Sequence, residues 1–275
     1  MRKIIFLAVV LMGSLLYCAD LAGANTVSLD PARIRLSLNP GEVKSGALKV
    51  DNPSADEINI RAYLEDWRYS SCADGSKEFF PAGSMSLSCA KWIDFSPAEF
   101  TLSPFGRQVV NYTVRVPQDA KGGHFCVMFF ETDLTDNTVE SAPSQVNLKA
   151  RLGALISVEM NNSLLCDASL DGLTVEKENS AIKISGNFQN NGNTDIAPEI
   201  TFDIINDKGD VFARGKFSDI FTLPHDKGEV FASTEEDLPL GEYILVITLN
   251  LGRARPKVLE VPIQVGTSDV NLINS

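Results

Sequence analysis

From Val27 to Met160 the chain alternates apolar and polar residues in short runs separated by turn signals, the pattern of half-buried β-strands. The last run is the longest. Val146, Leu148, Ala150, Leu152, Ala154, Ile156, Val158 and Met160 place every second residue on one face, which predicts one extended strand. Ile58, Ile60, Ala62 and Leu64 predict another, as do Val110, Tyr112, Val114 and Val116. The segment from Phe125 to Phe130 is apolar on both faces and predicts a central strand. At the start, Val27 and Leu29 share one parity while Ile34, Leu36 and Leu38 share the other. Pro31, which has no N–H to give a ladder, stands at the change, so this strand is expected to cross from one sheet to another. Asn39-Pro40-Gly41 and Asn52-Pro53 mark the next turns.

Near Asn161-Asn162-Ser163 the alternation stops, and a second series begins after Cys166. Ile182, Ile184 and Phe188 lead into Asn190-Asn191-Gly192-Asn193; Ile200, Phe202 and Ile204 lead into Asn206-Asp207-Lys208-Gly209. Tyr243 to Leu249 and Leu259 to Val265 alternate in turn, with Pro262 on the opposite parity, as an edge strand allows. No long amphipathic helix interrupts either series. A chain of 275 residues holds too many strands for one sandwich of roughly 100 residues and suits two. The expected fold is therefore all-β: two immunoglobulin-like β-sandwich domains, 25–160 and 168–265, joined by a linker at 161–167 and followed by a loose polar tail at 266–275.

Residues 1–24 read as a cleaved signal peptide. Arg2 and Lys3 precede an apolar run from Ile4 to Leu16, and Ala22-Gly23-Ala24 offers the small residues of a cleavage site. The run is short for a membrane span, and no later segment is long and apolar enough to be one, so no stable membrane insertion is expected. Export to a periplasm, or to the medium or cell surface, follows. Loss of the leader removes Cys18 and leaves Cys72, Cys89, Cys126 and Cys166, an even set that an oxidising compartment favours as disulfides. Of the three pairings, a local clasp between Cys72 and Cys89 is expected, which leaves Cys126 to meet Cys166. The cysteines are not grouped as metal ligands, and the two histidines, His124 and His225, are far apart, so no metal or other cofactor is expected.

The formal charge is −12, and loss of Arg2, Lys3 and Asp20 makes the remainder one unit more acidic. Such a surface repels nucleic acid, which is excluded as a partner. Trp67 and Trp92 are expected as packing residues rather than a sugar-binding face. No nucleophile elbow or paired-carboxylate spacing surrounds either histidine, so no enzyme is expected. His124 is placed at the turn made by Gly122-Gly123.

Val27-Ser28-Leu29-Asp30-Pro31-Ala32-Arg33, Leu48-Lys49-Val50-Asp51-Asn52 and Lys149-Ala150-Arg151-Leu152 resemble the opening, second and final strands of the PapD-like periplasmic pilus-assembly chaperones, over about residues 27–160. The resemblance implies that Arg33 and Arg151 grip the terminal carboxylate of a bound subunit, two cations sharing one anion. It also implies that Val146, Leu148, Ala150 and Leu152 complete an unfinished sandwich by strand addition. The chain departs from the family at Ala142, Ser144 and Val146, mostly small where large apolar residues are usual. The implied partner is a protein subunit of a pilus or surface structure. The alternative is a structural or adhesive envelope protein built from the same modules.

Overall fold

The computed structural model describes residues 27–70, 75–133, 149–178 and 181–273. The expected leader, Cys72, Val146 and Leu148 lie outside them. The first domain holds β1 (Ser28–Asp30), β2 (Arg33–Leu38), β3 (Val43–Asp51), β4 (Ile58–Tyr69), β5 (Lys77–Pro81), β6 (Ile93–Ser96), β7 (Glu99–Leu102), β8 (Arg107–Arg115), β9 (Gly123–Asp133) and β10 (Lys149–Met160). One sheet runs β1-β3-β8-β6; the other runs β2-β10-β9-β4-β5, with β7 also paired to β4. The opening strand does cross between sheets. β1 pairs antiparallel with β3, and after the cis Asp30-Pro31 bond β2 pairs parallel with β10.

Between the sheets lie Leu48, Val50, Ile60, Val110, Val114, the inward residues of β9 and, from β10, Ala154, Ile156, Val158 and Met160, all buried. β9 is central, between β10 and β4, as its two apolar faces require. Cys126, Met128 and Phe130 enter the main core, while Phe125, Val127 and Phe129 form a second cluster on the outer face with Trp67 and, from the second domain, Leu223. Trp67 is only 4% exposed and donates its indole N–H to the Cys126 carbonyl at 3.2 Å, so both tests of a packing tryptophan are met. Trp92 lies on the His124 ring, centroids 4.3 Å apart, and His124 Nε2 is 3.2 Å from the Lys121 carbonyl at the Gly122 turn.

Burial lowers the His124 pKa from its ordinary 6.5, against the opposing pull of the Lys121 and Ser88 carbonyls. A base held neutral in the fold is protonated first in the unfolded chain, so its contribution is present above pH 6.5 and lost as pH falls through the folded value. Urea unfolding between pH 7 and 5 is expected to show a stability decline that His124→Phe reduces; identical slopes in the two proteins would refute this.

The second domain comprises β11 (Ala168–Glu178), β12 (Ala181–Asn190), β13 (Glu199–Ile205), β14 (Val211–Lys216), β15 (Lys227–Thr234), β16 (Gly241–Asn250), β17 (Lys257–Val265) and β18 (Val270–Leu272). Its sheets run β11-β12-β15 and β14-β13-β16-β17-β18 around a core that includes Phe188, Phe202, Leu245 and Ile247. The tail is not loose throughout, contrary to expectation. The chain reverses at Gly266 and pairs Val270–Leu272 with the end of β17, and burial of Val270 holds it there. Pro262 therefore lies in a strand paired on one side by β16 and partly covered on the other by β18.

The turn after β12 joins the domains. Asn190 is fully buried; its side chain donates to the Thr194 carbonyl at 2.9 Å and accepts the Gly192 N–H at 2.9 Å. So fixed, Asn193 accepts the Gly123 N–H of β9 at 2.7 Å, and its side chain spans to the linker at Ser163 and Leu165.

Candidate functional site

The outer face of the β2-β10-β9-β4-β5 sheet is the candidate site. Register places Arg33 opposite Leu155, Leu155 opposite Val127, and Val127 opposite Glu65. Partners in a row share a face, so the same side carries Arg33 and Arg35 of β2, Arg151 to Glu159 on odd positions of β10, and Tyr63, Trp67 and Tyr69 of β4. One end of this face abuts the second domain, where Tyr69 meets Phe221 at 5.8 Å between centroids and Leu223 joins the Trp67 cluster. The other end, toward Arg151, carries Tyr63, Phe79 and Phe129, with Phe79 edge-on to Phe129 at 4.8 Å. Gly153 is a glycine because a Cβ there would come within 2.7 Å of Val127 and 2.9 Å of Phe129. That leaves a shallow gap in the row of β10 side chains.

The structure does not bring Arg33 and Arg151 together as an anion clamp. Their strands are neighbours, but Arg33 is level with Leu155, four residues beyond Arg151, or about 13 Å along the strand. Arg151 is already engaged. Its guanidinium donates to Glu65 at 3.2 Å and lies over the rings of Phe129 and Phe79, 4.3 and 5.0 Å from their centroids. Proximity to the Tyr63 hydroxyl and to Glu65 raises its pKa, burial opposing.

Arg33 is exposed and has no carboxylate partner among the described residues. A second cation shares its field. Lys77 at the start of β5 sits over Trp67 and Tyr69, 5.5 and 5.1 Å from the ring centroids, and donates to the Gly75 carbonyl at 2.9 Å. Burial lowers the Lys77 pKa, and the nearby positive charge of Arg33 lowers it further. Among the described residues Lys77, like Arg33, has no ion-pair partner, and the two cations repel each other.

The backbone adds a feature that side chains do not. β10 is paired to β9 along its length from Lys149 to Glu159, but to β2 only from Leu155 to Met160. Among the described residues, the β2 side of Lys149–Ala154 is therefore an open edge. The Leu155 N–H donates toward β2, to the Ala32 carbonyl at 3.1 Å, so by alternation Gly153 and Arg151 turn their N–H and C=O groups to that open side. Ala150 and Leu152 have the parity of the core-facing residues, yet Leu152 is 39% exposed. Of the expected apolar binding residues, these two are placed at the open edge.

At the opposite end the face is closed by an ion network. Glu159 of β10, 1% exposed, pairs with Arg35 of β2 and with Arg253 of the second domain at 2.7 Å, and accepts from Thr194 Oγ1 at 3.3 Å. Arg35 also clasps Asp195 through two bonds of 3.0 and 2.6 Å. Burial works against its charge, but the bonds and fields of Asp195 and Glu159 raise its pKa overall. Sequence patterning had no means of finding this cluster, whose members come from both domains.

No protein-family model matches the chain, and no curated protein matches it. Solved structures similar to it include the class 5 fimbriae chaperone CfaA, at 15% identity and TM-score 0.45, covering 88% of this chain and all 100% of that one. Another is the Salmonella enterica SafA pilin in complex with the SafB chaperone, at 13% identity and TM-score 0.41, covering 86% and 96%. A third is the CsuC-CsuE chaperone-tip adhesion subunit pre-assembly complex of Acinetobacter baumannii, at 11% identity and TM-score 0.43, covering 86% and 97%.

Proposed function

We propose that this chain is an exported, non-catalytic assembly chaperone that holds an incomplete β-sandwich subunit of a pilus or other surface structure by strand addition to β10. The observation that carries the reading is the one-sided pairing of Lys149–Ala154. A guest strand bound there lies in line with β2, which begins at Arg33 where the free edge ends. β2 runs parallel to β10, so a guest in the same direction brings its C-terminus to Arg33. An antiparallel guest brings other backbone or an N-terminal ammonium to the same cation. The edge supplies backbone bonds, Ala150 and Leu152 supply apolar contact, and Arg33 selects a parallel guest by its terminal carboxylate, with Lys77 adding to the positive field. The resemblance of the Val27–Arg33 segment to pilus chaperones supports the same assignment.

The test uses a fluorescent twelve-residue peptide of alternating valine and threonine, made with a free C-terminal carboxylate and as the amide. The free acid is expected to bind roughly 10- to 100-fold more tightly than the amide, the value of a charge-assisted hydrogen bond, and Arg33→Ala to erase the difference without lowering Tm. Equal binding of acid and amide by the wild type, or no binding of either, overturns the reading.

A further inference from the structure

Cys89 and Cys126 take no part in the candidate site, and their placement points to a covalent role. Cys126 faces the main core from β9, beside Met128 and Phe130. Cys89 stands at the head of a single 3₁₀ turn, Ala90–Trp92, that leads into β6. Both side chains are fully buried, and their Sγ atoms are 3.2 Å apart. Backbone pairing, not chance approach, puts them there. The Phe125 N–H donates to the Leu87 carbonyl at 2.7 Å and the Cys89 N–H to the Phe125 carbonyl at 3.3 Å, so this segment runs alongside β9. The buried Asp66 carboxylate of β4 fixes the same segment, accepting from the Met85 N–H and the Ser88 hydroxyl.

We propose that Cys89 and Cys126 are joined as a disulfide in the exported protein, a link that ties the turn before β6 in one sheet to β9 in the other. The pairings expected from spacing, Cys72 with Cys89 and Cys126 with Cys166, are thereby replaced. Cys89 has one sulfur to give, and Cys166, between the domains, packs against the second domain's core with its Sγ 3.7 Å from the Leu251 carbonyl. The oxidant is a disulfide, carried by a thiol–disulfide oxidoreductase or by oxidised glutathione. One cysteine thiolate attacks it to form a mixed disulfide and releases one thiol; the second cysteine then displaces the other. One S–S bond forms in the chain, the carrier's S–S bond is reduced, and the two cysteine protons end on the two thiols released.

Burial raises the Cys126 thiol well above its ordinary range, and the neighbouring Cys89 raises it further. Only a thiolate attacks, so oxidation belongs to the stage before the two sheets close. Once folded, a reduced pair is inert and an oxidised pair is shielded.

The full chain, secreted to an oxidising periplasm, is unfolded in guanidinium, alkylated without reductant, digested and mapped by mass spectrometry. The expected product is a Cys89 peptide bonded to a Cys126 peptide, lighter by two hydrogens than the sum of the free peptides. The Cys89→Ala, Cys126→Ala double variant is expected to melt roughly 10 °C lower, as for removal of a cross-link closing a loop of this length. Alkylation of both cysteines, or a bond from either to Cys72 or Cys166, overturns the proposal.

Discussion

Replacing both Arg35 and Arg253 by alanine is expected to lower the unfolding free energy by about 3–5 kcal/mol, the cost of leaving a buried charge without its partners. Glu159 is 1% exposed and is held by these two guanidinium groups and the Thr194 hydroxyl. With one arginine gone the other remains; with both gone, the carboxylate keeps a single neutral donor in a site that water barely reaches. Calorimetry is expected to show the midpoint falling by roughly 10 °C for a domain of this size. The arginines themselves are 31% and 42% exposed, so they rehydrate easily when their acid is lost. Glu159→Gln is accordingly expected to be mild alone and to recover most of the stability in the double-alanine background. If Glu159→Gln fails to rescue, the loss comes from packing of the arginine stems and not from the stranded charge.

This network also adjoins the strand edge proposed to take a guest. Arg35 and Glu159 stand on the two strands, β2 and β10, that carry Arg33, the proposed anchor, and the edge left open among the described residues. Their bonds to Asp195, Thr194 and Arg253 set the second domain at one end of the proposed guest's track. Loosening this polar cluster is expected to weaken capture of the free-acid peptide as well as the fold.

The sequence shows some of this and hides the rest for identifiable reasons. Sheet crossing at Pro31 is legible because the parity of apolar residues changes on either side of a residue that cannot donate. β9 is legible as central because both its faces are apolar. Glu159 is misleading: its parity marks the outer face of β10, which alternation equates with solvent, but the second domain covers that end. Parallel register is equally invisible to periodicity. Arg33 and Arg151 occupy neighbouring strands, and nothing local tells that β2 begins level with Leu155. Lys77 reaches the face from β5, across the sheet from β2, with no motif to announce it. The Cys89–Cys126 contact eluded spacing for the same reason, since it follows from a segment pairing beside β9. Val270 and Leu272 form a two-member alternation, too short to distinguish from a polar tail.

Arg151→Pro is expected to abolish most peptide binding, while Arg151→Ala leaves it largely intact. Arg151 has two separable roles. Its side chain covers Phe79 and Phe129 and pairs with Glu65, contacts on a partly exposed surface whose loss costs about 1 kcal/mol of stability. Its backbone N–H, by the alternation set at Leu155, points to the open side of β10 and has no partner there among the described residues. Proline removes that donor and places a ring where the guest backbone must lie, but breaks no existing ladder bond, as edge positions tolerate. A bound guest then loses one backbone bond and buries an unsatisfied carbonyl, together about 2–4 kcal/mol or roughly 30- to 1000-fold in affinity. Titrating the free-acid peptide into both variants decides the matter. Strong binding by Arg151→Pro would place the guest elsewhere than on this edge, whereas loss in proline but not alanine assigns recognition to the backbone of β10, with Arg33 reading only the carboxylate at its end.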